Sequence, residues 1–432
     1  MSKADTSQVD LARKTLGPIA GNRWIQLAAG VIAMIVISNF QYGFTLFTDG
    51  LTEQFPGVPY SEIALIYTLF ILFETWPVPV AGYFIDKFGI RNLMLVGAAL
   101  ISLGWVLAGT IATSLFHLYI LYGVLAGTGA GIIYIATVAN AIKWFPDRRG
   151  LAAGLTAAGF GGGSALTLIP IDATIDSMGW AGAMTAWGIG QGVVAIAMAL
   201  ILHHPPKGWS PANWVQPKAV VQTRRDFTPK QMMSKKEFYI MYGMFLMVCT
   251  GGLMTTGNMS KIAQSLNVGD ATFWGIAIVP FTATVAGVAN AFARIMWGGV
   301  SDRFGREYTM AFAFALEGVL IFLMTQISGN PMAFMLLMPF VFLAWGEIYA
   351  LFSAITGDVF GPKNASANYG ILYTAKGVSA ILAGYGAAAV AARYAGSFAV
   401  PYYISSVFDL TAAALALFVL RPIIRKRIAG EA

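Results

Sequence analysis

Twelve apolar stretches of about 20 residues each dominate this chain, near 24–48, 61–85, 92–112, 115–142, 151–173, 180–203, 237–260, 272–297, 307–327, 331–357, 367–392 and 398–421. A helix of about 20 residues crosses a hydrocarbon core of roughly 30 Å. The chain is 57% hydrophobic and 11% charged, where a soluble domain carries about a quarter charged residues. The expected fold class is therefore an all-α membrane protein with twelve transmembrane helices and the lipid bilayer as its solvent.

The only long polar stretch, 204–236, holds Pro205, Pro206, Pro211 and Pro217 and divides the spans six and six. The expected organisation is an N-terminal six-helix bundle over 1–203, a linker over 204–236 and a C-terminal six-helix bundle over 237–432. An internal repeat agrees with this division. Gly82-Tyr-Phe-Ile-Asp86-Lys87-Phe-Gly89 recurs 216 positions on, as Gly298-Gly-Val-Ser-Asp302-Arg303-Phe-Gly305-Arg306. Ile133-Tyr134 matches Ile348-Tyr349 at an offset of 215. Repeated halves place a substrate site at their interface, near the bilayer midplane.

The net charge of +7 need not imply nucleic acid, because of where the basic residues lie. Of the 27 Lys and Arg, all but Lys261, Arg294, Lys376 and Arg393 fall in the termini, the linker or the loops on the same side of the spans. Cytoplasmic loops retain Lys and Arg, so both termini and the linker are expected in the cytoplasm. The first 23 residues lack the apolar core of a removable signal peptide. The single cysteine, Cys249, forms no intramolecular disulfide, and no metal-site spacing or cofactor motif occurs. The three histidines, His117, His203 and His204, lie at span ends or in loops, and no nucleophile and base pair is evident inside the membrane. An enzyme is not expected.

Arg294 and Lys376 are the two cations left inside spans. Each costs about 2.5–3.5 kcal/mol at the centre of a spanning helix on insertion scales, so each is expected to face a cavity, a partner or a pathway. A guanidinium offers a planar fork and an ammonium a compact point charge, and together they suit carboxylates. Their repeat-related positions, Val78 and Gly161, are uncharged. Tyr134 and Tyr349 are repeat-equivalent and are expected to face each other across the interface as phenol donors. Four intramembrane acids, Glu74, Glu317, Glu347 and Asp409, must be neutral, paired or near water. Glu347 and Glu74 are candidate coupling residues. If either pairs with Arg294 or Lys376, a monocarboxylate moved with a proton becomes the better fit. The glycines of spans 4 and 5 read as helix-packing surfaces, since no strand precedes them and no Gly-Lys-Ser/Thr follows.

The Gly-x-x-x-Asp-Lys/Arg-x-Gly loop, present twice, resembles the signature of the major facilitator superfamily. That resemblance implies two pseudo-symmetric bundles, with Asp86, Asp302 and Arg303 in gating loops. Gln41-Tyr42, Gly131-Ile-Ile-Tyr134, Lys143-Trp-Phe-Pro-Asp-Arg-Arg-Gly150, Arg294, Trp345, Tyr349 and Tyr369-Gly-Ile-Leu-Tyr-Thr-Ala-Lys376 together resemble the oxalate:formate antiporter family. The resemblance implies that Arg294 and Lys376 bind substrate carboxylates inside a cage of Gln41, Tyr42, Tyr134, Trp345 and Tyr349. Glu347 and Glu74 depart from the pattern, which would have a small uncharged residue and an amide there. The implied activity is oxalate-for-formate exchange by alternating access, which charges the membrane when a dianion enters and a monoanion leaves. The alternative is proton symport of a lactate-like or pyruvate-like monocarboxylate. The expected partners are a small carboxylate anion and lipid, without nucleic acid, for a monomer in a bacterial cytoplasmic (inner) membrane.

Overall fold

The computed structural model describes residues 12, 14–206, 209–211, 223, 225–361 and 364–431. Part of the expected linker, 207–208, 212–222 and 224, lies outside the described residues. Almost all of the rest is helix, apart from a two-residue-per-strand hairpin, Thr272–Phe273 with Ile276–Ala277. Among the described residues, eleven continuous helical stretches are long and apolar enough to cross a membrane. One of them, Leu151–Ile201, has 51 residues, which at 1.5 Å per residue is more than twice the hydrocarbon thickness. Its backbone leaves the helical region at Gly179, with φ 70° and ψ 169°. The residues before and after that break are the fifth and sixth expected spans.

Several spans are interrupted where the sequence weakens the helix. The first is Arg23–Tyr42 followed by Phe44–Gln54, the second Tyr60–Thr75 followed by Val78–Phe88, and the tenth Pro331–Trp345 followed by Ile348–Phe360. Pro77 ends one segment because it lacks an N–H and crowds the preceding turn. The seventh span, Lys236–Gly257, breaks at Asn258 before Met259–Ser265. Asn258 lies 215 positions after Gly43, where the first span breaks, so the repeat extends to the backbone. The loop glycines Gly89 and Gly305 agree, with φ of 81° and 92°, a region that favours glycine.

The bundle closes through small residues. A Cβ on Gly131 would lie 2.2 Å from the backbone oxygen of Glu74, so the second and fourth spans touch backbone to backbone. In the other half, a Cβ on Gly346 would lie 2.6 Å from Oδ1 of Asn290 and 3.0 Å from its backbone oxygen. Asn290 is 216 positions after Glu74, so the tenth span meets the eighth as the fourth meets the second.

The two faces of the bundle are held differently. At the face away from the linker, Asp49 pairs with Lys261 at 2.7 Å and accepts from Ser260 Oγ at 2.8 Å and Gln264 Nε2 at 3.0 Å. Tyr60 adds a hydrogen bond to Asn258 at 3.0 Å. These contacts join the first and second spans to the seventh, so they tie one half to the other. At the linker face, the described ion pairs Arg23–Asp147, Arg306–Asp302, Arg306–Asp358 and Arg427–Glu237 each stay within one half.

Candidate functional site

Lys376 lies in the helix Ala365–Ile381 and is fully buried. Its ammonium donates to Glu74 Oε2 at 2.8 Å, Gln41 Oε1 at 2.8 Å and the Tyr373 hydroxyl at 3.3 Å. Three partners match its three protons. Glu74 and Gln41 belong to the first six spans, so this ion pair crosses the interface with both side chains at 0% exposure.

Arg294 lies in the helix Ile278–Phe304 and is 3% exposed. Its Nη2 reaches the Tyr42 hydroxyl at 3.4 Å, while Nε and Nη1 have no hydrogen-bond partner. The guanidinium rests on Gly161, where an added Cβ would lie 2.6 Å from Nε. One turn earlier on the same helix, Asn290 Nδ2 donates to the Tyr42 hydroxyl at 2.9 Å and to the Gly161 carbonyl at 3.1 Å. Those bonds fix the first and fifth spans against the eighth.

Both cations flank the same two rings. Arg294 Cζ is 4.4 Å from the Tyr349 centroid and 5.9 Å from that of Phe160; Lys376 Nζ is 5.7 Å and 5.3 Å from the same two. Cation–π attraction at such distances strengthens when water is excluded. The structure thus gathers Gln41, Tyr42, Glu74, Arg294, Tyr349 and Lys376 in one buried locus, with one ring from each half against both charges.

Tyr134 stands beside Arg294, and its ring meets Tyr373 in place of Tyr349. It stacks on Tyr373 with centroids 5.4 Å apart, and Tyr373 in turn meets Tyr349 at 6.1 Å. Tyr134 and Tyr349 therefore both pack on Tyr373, the ring that the eleventh span carries. Trp345 packs its indole on Gly252 and its edge against Tyr349 at 5.6 Å. It supports Tyr349 from behind, and none of its described contacts is with either cation.

Glu347 is fully buried, and neither of its carboxyl oxygens has a hydrogen-bond partner. It takes no part in the described pairing of Arg294 or Lys376. It sits at the break of the tenth span, and among the described residues it interacts electrostatically with Glu317. Glu317 and Asp409 are likewise buried, their oxygens converging on Gly251, where an added Cβ would lie 3.4 Å and 3.5 Å from them. Of the loop residues, Asp302 pairs with Arg306 at 2.7 Å and Arg303 is exposed. Asp86 lies in the helix Val78–Phe88, and its side chain is outside the described residues.

Three residues of the locus were not singled out as site residues from the sequence: Tyr373, Phe160 and Asn290. Spacing carried a signal for two of them, since Tyr373 is three residues before Lys376 and Asn290 four before Arg294, positions that share a helix face. Phe160 gave no signal beyond its place beside Gly161.

Five buried polar atoms here lack a partner: Arg294 Nε and Nη1, Gln41 Nε2, Glu74 Oε1 and Asn290 Oδ1. Buried polar groups are normally satisfied, and leaving one unpaired costs about 1–3 kcal/mol. Three of the five are donors, two of them on a charged fork, which suits an incoming carboxylate.

The Major Facilitator Superfamily profile matches residues 24–289 and 253–432. The oxalate:formate antiporter of Oxalobacter formigenes is 32% identical over 403 residues, 93% of this chain and 92% of that one. Monocarboxylate transporter 12 of Xenopus laevis is 26% identical, covering 73% of this chain and 71% of that one. Among solved structures, a D-xylose-proton symporter superposes with a TM-score of 0.71 at 12% identity, covering 91% of this chain and 96% of that one. With its profile match and its 32% identity to the antiporter over nearly its whole length, the chain belongs to the Major Facilitator Superfamily, in the oxalate:formate antiporter family.

Proposed function

We propose that this chain is a secondary transporter of small carboxylate anions, working by alternating access of two six-helix halves (1–203 and 237–432, joined by 204–236) about Arg294 and Lys376. The observation that carries the reading is the pair of buried cations at the interface, one with an open guanidinium fork, set against two shared rings. Gln41, Tyr42, Tyr349 and Tyr373 orient the anion. Oxalate-for-formate antiport is the exchange to test first, since two cations match two carboxylates and the 32% relative carries that name. With the linker in the cytoplasm of a bacterial inner membrane, the contacts around Asp49 would close the outer face.

A second reading, proton-coupled transport of a monocarboxylate, is favoured by the Lys376–Glu74 pair, which already neutralises one of the two cations. Labelled oxalate uptake into liposomes holding the purified protein, loaded with formate or with buffer, tests the first reading. Stimulation by internal formate, lost on Arg294→Gln, supports it. Lactate accumulation under an inward proton gradient, with no oxalate uptake, replaces it with the second.

A further inference from the structure

Resting on the carboxylate-transporter reading, we propose that Glu74 fixes the charge carried per crossing at one net negative. A monoanion crosses with the Glu74–Lys376 ion pair intact, and a dianion crosses only together with a proton on Glu74. Exchange of a dianion for a monoanion is then electroneutral and linked to protons.

The argument is a charge count in a closed, buried site. The full charges among the described residues of the locus are Arg294, Lys376 and Glu74. Glu74 comes from the second span and faces Lys376 of the eleventh at 2.8 Å, with Gln41 of the first span on the same ammonium. The fourth span presents Gly131 to its backbone and Tyr134, a neutral phenol beside Arg294, to the locus. The eighth span presents Arg294. Glu317 of the ninth span and Asp409 of the twelfth converge on Gly251, apart from the locus, and the electrostatic neighbour of Glu347 is Glu317. The site therefore holds two positive charges and one negative before cargo enters.

One monocarboxylate on the open fork of Arg294 brings the sum to zero. A dianion would leave one uncompensated negative charge, which is costly in a low-dielectric site. It also needs Lys376, whose three donors are already used. One proton taken from water onto a Glu74 oxygen resolves both difficulties. The carboxylate becomes a neutral acid, Lys376 loses its ionic partner and accepts the second cargo carboxylate, and the sum returns to zero. On release at the other face the proton leaves with the dianion, and the ion pair forms again.

The test uses the full chain in liposomes, with a potassium diffusion potential set by valinomycin and a trapped pH dye. Moving one net charge shifts the accumulation ratio by roughly 40-fold per 100 mV. For oxalate-for-formate exchange by the wild type, the expected result is no shift with potential and one proton moving with each oxalate. In Glu74→Gln, the expected result is a shift with potential in that range and loss of the proton movement. Potential-dependent exchange without proton movement in the wild type overturns the proposal, and needs no variant. Proton movement that survives Glu74→Gln also overturns it. If Glu74→Gln does not fold, Glu74→Asp is read instead. It is expected to keep the proton link, and loss of that link would overturn the proposal. Wild type that accepts formate but never oxalate, at any pH from 5 to 8, overturns the dianion branch. Counterflow of no carboxylate at all would instead sink the transporter reading, so the two failures are distinguishable.

Discussion

The two halves of the molecule hold equivalent positions and fill them with different chemistry. Arg294 and Lys376 in the second half stand where the first half has Val78 and Gly161, and Asn290 stands where the first half has Glu74. The second half supplies both positive charges. The first half supplies the space and the counter-charge: Gly161 leaves room for the guanidinium, and Glu74 takes one of the ammonium protons. A fold with twofold pseudo-symmetry thus gives an asymmetric site, in which one cation is satisfied by protein and the other stands open. Rocking one half against the other must break the Lys376–Glu74 and Asn290–Gly161 contacts or carry them along, so the charge and the motion share the same atoms.

The sharpest way to break this comparison is to remove the two cations one at a time. Arg294→Gln deletes a charge with no carboxylate partner among the described residues, so folding is expected to survive and transport to fall about 100-fold, in keeping with 2–5 kcal/mol for truncating a buried charge contact. Lys376→Gln leaves Glu74 buried without its partner. The expected destabilisation is about 3–5 kcal/mol, read as a lower midpoint of thermal unfolding in detergent. Adding Glu74→Gln to Lys376→Gln should recover most of that loss without restoring transport. Equal destabilisation by Arg294→Gln and Lys376→Gln would show that the two subsites do not differ as described.

The backbone contacts of the halves offer the next test. Gly131→Ala drives a methyl into the Glu74 carbonyl, and Gly346→Ala drives one chiefly into the Asn290 side chain and the Ala293 Cβ. Overpacking of this kind costs about 1–3 kcal/mol. Gly131→Ala is expected at the upper end and Gly346→Ala below it, because a side-chain amide can rotate away and a backbone carbonyl cannot. Gly161→Ala should act on affinity instead. Its methyl would sit 2.6 Å from Arg294 Nε, so the fork shifts and the concentration for half-maximal uptake rises about tenfold, a loss of roughly 1.4 kcal/mol.

How much of this was legible in the sequence follows the same physics. Span positions could be read because hydrocarbon imposes a length and a composition, and Gly179 explains why twelve spans appear as eleven continuous helices. The two cations could be read because an intramembrane charge is rare and costly. Partners were harder. That Glu74 pairs with Lys376 depends on how two distant spans meet, and local spacing carries no trace of it. Glu347, two residues from both Trp345 and Tyr349, is turned by that spacing toward the opposite helix face, where the structure places it away from the cations. Tyr373 was hidden among 17 tyrosines, most of which such a protein uses for packing or at the membrane interface.

The smallest expected effect concerns the repeated loop. Asp302 is 66% exposed and pairs with Arg306 four residues on, and Arg306 also holds Asp358 at 3.2 Å. An exposed pair of this spacing contributes about 0.3–0.5 kcal/mol, and Arg306 keeps its second carboxylate when the first is lost. Asp302→Asn is therefore expected to lower stability by less than about 0.5 kcal/mol and, if the loop only stiffens the second half, to leave exchange rates within twofold. A large fall in exchange with stability unchanged would mean that Asp302 acts during the motion, gating the linker face as the loop signature implies. The same substitution at Asp86 then decides whether the two halves share that role or divide it, as they divide the charges of the site.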